Sequence, residues 1–322
     1  FNSIKPSYKG KIYSTDIDAN FSGEIRKDDG FKIYGSLEGK AKSYSKKIFG
    51  NVGMPQTFLS KIKKTDTADI SATYQYDGRR LDINNFKSSS DLIDLNLSSK
   101  TAFNDKSKTY LDIEIPRFDY SRLFKAQDEL FSLKKAKKSS DMFTKKLEEY
   151  ILFSIDDDID FQAILDIKNI ILFGGKSGKL YSRLTLKDKK IRINTLKINL
   201  PGETVINSYG QAEINRDKRK LIGEIRFASA GKRLDDALGA FNLINPDPNN
   251  QRFGPFYIDT KGFFYDQNVH FRNIEGRVNN DKLAGQMLIN YSQDIKGSAA
   301  FNFTELHLDK YLQDSPLRED EI

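Results

Sequence analysis

Apolar and polar residues alternate one by one along most of this chain, and that rhythm restricts it to sheets with one apolar face. Successive side chains of a strand point to opposite sides, so a period of two collects every second residue on one surface. Ile159, Phe161, Ala163, Leu165 and Ile167 form one such run. Leu180, Leu184 and Leu186 follow, then Ile191 and Ile193, then Leu196, Ile198 and Leu200. Leu221, Ile225 and Phe227 repeat the pattern, as do Val269 with Phe271 and Phe301 with Phe303. Short turn sequences divide the runs: Asp77-Gly78, Asp188-Lys189, Pro201-Gly202, Asn279-Asn280 and Asp294-Ile295-Lys296. They predict antiparallel meanders rather than strand-helix-strand units. The chain holds on the order of twenty strands of ~5–10 residues.

Three helices are expected among them. One follows Pro55 with Phe58, Leu59 and Ile62. A second lies within 121–152, where Phe143, Leu147, Tyr150 and Ile151 have helical spacing behind a cap at Ser140 or Asp141. The third runs from Leu234 to Asn242 on the stripe Leu234, Ala237, Leu238, Phe241. So little helix covers only part of so much sheet. The apolar face must either close on itself as a sandwich or barrel, or curl into an open groove that takes an apolar ligand. The expected fold is mostly β: an elongated, curved, largely antiparallel sheet, groove-like or folded like a taco, with about three short helices. Twenty strands side by side would extend roughly 95 Å.

Two stretches match at a fixed displacement. Leu81–Phe86 with Leu111–Phe124 pairs with Val269–Ile274 and Ala299–Leu312; 269 − 81 and 312 − 124 both give 188. Ile83 then faces Phe271, Ile113 faces Phe301 and Phe124 faces Leu312. Such repetition marks an architecture of stacked units.

Composition removes several classes of function. Fifty-two Lys and Arg against 45 Asp and Glu leave +7, scattered rather than gathered into a nucleic-acid stripe. No Cys and only two His, His270 and His307, leave no thiol or His-based chemistry. Both histidines alternate out of phase with their apolar neighbours and belong to the polar face. Asp156-Asp157-Asp158 fails as a calcium loop, since Phe161 and Ile167 hold the positions that need Gly and Glu. Gly174-Gly175-Lys176-Ser177-Gly178-Lys179 fails as a phosphate loop, because Leu180 stands where Ser or Thr must reach the metal; a hairpin turn explains it. The Lys-rich 121–152 segment reads as a solvated helical face. No catalytic residue, metal site or cofactor is expected, and the chain is not read as an enzyme. Without a leader or a long apolar run, and starting at Phe1, it reads as a piece of a longer protein whose anchor lies elsewhere.

The closing residues Phe303-Thr304-Glu305-Leu306-His307-Leu308-Asp309-Lys310-Tyr311-Leu312 resemble the "LDLD-(R/K)-Y-L" close of the AsmA-like family, bacterial cell-envelope proteins related to TamB and YhdP. Leu234-Asp235-Asp236-Ala237-Leu238-Gly239-Ala240-Phe241 resembles the family's small helix, and Asp281-Lys282-Leu283-Ala284-Gly285 its strand opening. Tyr209-Gly210-Gln211-Ala212-Glu213-Ile214 resembles a closing strand of a preceding sheet segment. Phe118-Asp119-Tyr120-Ser121-Arg122-Leu123-Phe124 departs from the closing pattern. The resemblance implies a lipid-sized groove, a tether in the inner membrane, a periplasmic location and phospholipid movement between inner and outer membranes.

On this reading 1–124 is a first, truncated AsmA-like repeat unit, 125–152 a helical insert, 153–312 a second unit and 313–322 a polar tail. Phe161, Leu165, Ile193 and Phe271 are the groove candidates, with phospholipid acyl chains as the ligand. The partners expected are the inner membrane, through an anchor outside these residues, and other envelope proteins, with no nucleic acid. A buried core would explain those four residues equally well, so the alternative is a structural or interaction β-scaffold of the envelope with a filled interior.

Overall fold

The computed structural model describes residues 6–14, 16–27, 30–44, 67–104, 106–125, 159–215, 220–241, 253–265, 268–290 and 296–304. The helix expected after Pro55, the helical stretch at 140–152, His307 and the tail 313–322 lie outside them.

A single open, curved sheet of sixteen strands takes up almost all of the described residues. In chain order they are β1 (Ser7–Tyr13), β2 (Ile17–Lys27), β3 (Phe31–Lys42), β4 (Thr67–Tyr76), β5 (Arg80–Ser89), β6 (Ile93–Ala102), β7 (Ser107–Asp119) and β8 (Ile159–Ile171). There follow β9 (Ser177–Lys187), β10 (Lys190–Leu200), β11 (Thr204–Asn215), β12 (Lys220–Gly231), β13 (Phe256–Tyr265), β14 (Asn268–Val278), β15 (Asp281–Asn290) and β16 (Lys296–Phe303). Strand order in space equals order in sequence. At ~4.8 Å between neighbours the sheet extends about 70 Å across its strands. The expectation of about twenty strands covered the whole chain, and within the described residues one source of overcounting is visible. Asn194 and Thr195 interrupt the alternation inside β10, so one bulged strand reads as two.

All neighbours pair antiparallel except β7 and β8, which run parallel from Ser107↔Ile159 to Asp119↔Ile171. The two sets of strand ends differ. At one rim, tight hairpins turn the chain; Asp188 and Lys189 both take positive φ (48° and 63°) between β9 and β10, the backbone that matches strand twist. At the other rim sit the helices α1 (Tyr120–Lys125) and α2 (Leu234–Ala240), with a 3-10 turn at Phe173–Gly175. Gly174 and Gly175 supply the positive φ of that turn (70° and 71°) between β8 and β9. Asp235 and Asp236 fall in the first turn of α2, where the helix dipole favours carboxylates.

What core there is gathers at the helical rim. Ile167, Ile170, Leu172 and Ala240 form one buried cluster, flanked by Tyr120, Leu165 and Phe241; Ala41, Tyr44, Ala68 and Ile93 form another. Tyr120 meets Phe173 and Phe241 edge-on at 5.9 and 5.4 Å, joining α1 to the chain that follows α2. Burial holds its phenol above the usual tyrosine range. No helix among the described residues is long and apolar enough to cross a membrane.

The 188-residue displacement holds in the backbone. It carries β6 onto β15 at both ends, and the bulge between Ile83 and Phe86 onto the bulge between Phe271 and Ile274. Asn85 and Asn273 stand at the matching bulge position, each with φ of 52°, a conformation Asn tolerates better than most residues.

Candidate binding face

Strand register builds one unbroken line of uncharged side chains across the whole sheet. From the first edge it runs Tyr8, Gly23, Gly35, Tyr74, Ile83, Ser99, Leu111, Ala163. It continues Leu184, Ile193, Gly210, Ile225, Gly262, Phe271, Met287, Ala299. Residues two positions away repeat the character, as with Phe161, Leu165, Phe227 and Ile289, and Leu196 does so across the β10 bulge. Among the described residues the charges on this face, Lys27 and Asp281, stand at strand ends. Along the strands the other charged side chains point to the opposite face.

The apolar face is concave. On a flat sheet a Cβ stays ~4.5 Å or more from its cross-strand neighbour. A Cβ added to Gly210 would lie 2.3 Å from the Glu224 carbonyl oxygen and 2.7 Å from the Ile225 Cα. One added to Gly223 would lie 2.2 Å from the Gln211 oxygen and 2.5 Å from the Ala212 Cα. Strands β11 and β12 therefore bend toward this side, and only glycine leaves room for the bend. Bulges in β5, β10 and β14 add further coiling, since the extra residue sharpens local twist.

All four candidate residues lie on this face. Ile193 and Phe271 share the central line four strands apart, and Phe161 and Leu165 flank its Ala163 on β8. Each is half-buried rather than enclosed. Leu165 differs from the rest because it packs against the buried cluster at the helical rim. Sequence reasoning missed a third occurrence of the bulge motif. Ile193-Asn194-Thr195-Leu196 repeats the form of Ile83-Asn84-Asn85-Phe86 and Phe271-Arg272-Asn273-Ile274, and all three bulges directly follow the central line.

Sequence reasoning also missed a pair of tyrosines on the apolar face. Tyr8 and Tyr74 lie over Gly23 and Gly35, with hydroxyls 2.9 Å apart. The Tyr8 hydroxyl donates to the Tyr34 carbonyl at 3.0 Å, so the Tyr74 hydroxyl donates to Tyr8. Burial, then the bond with Tyr74, pushes the Tyr8 phenol up from 10.0 to about 12. The folded form thus holds this proton more tightly than the unfolded chain, a stabilisation complete below pH 10 and lost as pH rises toward 12. The melting-temperature difference between the parent and Tyr8→Phe is expected to be largest at pH 9 and to shrink toward pH 12. A constant difference would show that the Tyr8 proton is not held.

Paired charges mark the helical rim and the opposite face. Arg117 donates to Asp94 at 2.8 Å and to the carbonyls of Ser90 and Asp91 at 2.6 and 2.9 Å. Burial works to raise the Asp94 carboxyl, but hydrogen bonds from Arg117 and Ser89 hold it below the usual range. On the opposite face Arg226 grips Asp259 with two donors, at 2.9 and 3.3 Å, and those bonds lower the Asp259 carboxyl. His270 lies there too, accepting from the Arg272 Nε at 3.2 Å. Among the described residues no group of three or more His, Cys, Asp or Glu could hold a metal ion.

No family model, curated protein or solved structure matches the chain.

Proposed function

We propose that this chain is the periplasmic portion of an AsmA-like bacterial envelope protein that conducts phospholipids between the inner and outer membranes. Acyl chains lie on the concave apolar face and headgroups remain at its margin, in contact with water. The observation that carries this reading is the charge-free line across all sixteen strands, on a face where large side chains such as Phe161, Ile193 and Phe271 are left half-buried. A soluble protein rarely leaves a continuous apolar surface of that extent to water. The tether in the inner membrane belongs to a part of the protein outside these residues, as do contacts with other envelope proteins. The reading assigns the chain no reaction of its own and no cofactor.

The experiment is to purify the chain without added lipid and analyse it by native mass spectrometry, with solvent extraction in parallel. Phospholipid is expected in the preparation, at more than one molecule per chain because the face is long. A preparation free of lipid that cannot be loaded from phospholipid vesicles would overturn the proposal and leave an envelope scaffold.

A further inference from the structure

The sheet's two rims differ in charge and in cover. At the helical rim three cations are neutralised locally: Arg117 by Asp94, Lys176 by Asp236 at 2.7 Å, and Lys232 by Glu203 at 2.8 Å. At the hairpin rim the tips of β4–β5, β6–β7 and β9–β10 come together. The Phe103 amide donates to the Arg79 carbonyl at 2.7 Å, and Lys106 reaches Asp188 at 3.4 Å. Between the tips lies a concavity of about 400 Å³ lined by Arg80, Lys100, Lys108, Tyr110, Asp160 and Lys187.

Two of the three carboxylates here are engaged, and the third, Asp160, stands across from Lys108 in the β7–β8 register and leaves the cations in excess. Asp77 accepts from the backbone amides of Arg79 and Arg80 at 3.0 and 2.7 Å, which closes its turn. Asp82 takes the Arg80 side chain at 2.7 Å. Lys100, Lys108 and Lys187 make no ion pair within the described residues. Beside these cations the Phe103 ring is 47% exposed, and further tips of the same rim carry Phe31 at 54% and Tyr265 at 60%. Cationic groups flanking exposed rings suit a lipid surface. The ammonium groups meet phosphates while the rings enter the headgroup layer.

We propose that this hairpin rim docks on an anionic phospholipid bilayer and so opens the apolar face to the membrane along one side. The proposal rests on the lipid-conducting reading above only for the use made of the contact. The helical rim, where α1, α2 and the 3-10 turn sit and Arg117, Lys176 and Lys232 are paired, faces away. A nucleic acid would meet the same cations but would gain nothing from Phe31, Phe103 and Tyr265 at separate tips.

The chain contains no tryptophan, so a single introduced indole reports alone. Phe103→Trp is expected to shift its emission to the blue with vesicles of phosphatidylcholine plus phosphatidylglycerol, and not with phosphatidylcholine alone. Tyr13→Trp, at a 75% exposed site on the helical rim, is expected not to shift. Reversing Lys100, Lys108 and Lys187 to Glu together should weaken flotation with the anionic vesicles by roughly tenfold or more, and added salt should weaken the parent likewise. No flotation of the parent, equal shifts at positions 103 and 13, or undiminished flotation of the triple variant would each overturn the proposal. So would a single-stranded DNA that binds as tightly as the vesicles and displaces the protein from them. Should the triple variant fail to fold, the two tryptophan variants decide. Lipid content separates this from the parent reading: docking without lipid on the concave face would sink the conduit and leave the rim contact standing.

Discussion

Ile193→Asp, Phe161→Asp and Phe271→Asp are expected to fold with melting temperatures near the parent's and to lose bound phospholipid. Each replaces a half-buried side chain on an open concave face, where a carboxylate can stay hydrated while no acyl chain is present. An acyl chain can pass only by desolvating that charge, so lipid is excluded. Leu165→Asp is the contrasting case. Leu165 packs against Ile167, Ile170, Leu172 and Ala240, and an unpaired charge there costs several kcal/mol, enough to threaten a domain of ordinary stability. The measurements are thermal unfolding and extractable phospholipid for all four variants. Unfolding of all four would mean a filled interior and would defeat the conduit.

Gly223→Val is expected to destabilise the sheet strongly. The Cβ it introduces collides with the Gln211 carbonyl and the Ala212 Cα, which are backbone and cannot swing aside. Overpacking of flexible side chains costs ~1–3 kcal/mol, and a rigid neighbour places this variant at or above that range. Ala230→Val on the opposite face of the same strand serves as the control. It is exposed, and valine suits a strand. The expected outcome is a melting temperature several degrees lower for Gly223→Val alone, with a larger radius of gyration in small-angle scattering as the sheet flattens. Equal melting of the two variants would show that the bend at β11 and β12 does not depend on glycine.

Much of the architecture was legible in the sequence because strand alternation is a local signal. Phe161 to Ile167, Ile191 with Ile193, and Val269 with Phe271 all fall on the apolar face that their spacing assigns. The turns fall at Asp188-Lys189 and Asn279-Asn280 as read, with Asp188, Lys189 and Asn279 at positive φ. The bulges were not legible, because an extra residue breaks the period and resembles a strand boundary. The third copy escaped for a related reason. It lies 110 residues after the first and 78 before the last, so no constant displacement finds it. The parallel pairing of β7 with β8 carries no local signal at all, since nothing near Ser107 or Ile159 names its partner. Concavity was equally hidden: Gly210 and Gly223 read as weak strand residues until their cross-strand neighbours are known.

That one parallel pairing governs how such a sheet can form. Everywhere else each strand pairs with the next in sequence through the connection that joins them, so contacts grow outward by local zippering. This is unusual for an all-β protein, where distant pairings normally slow folding. At the β7–β8 seam, Ser107 must instead find Ile159, 52 residues further along. Seven strands on one side and nine on the other can each assemble before the seam closes. The seam is thus the slow, entropically demanding step of an otherwise one-dimensional array.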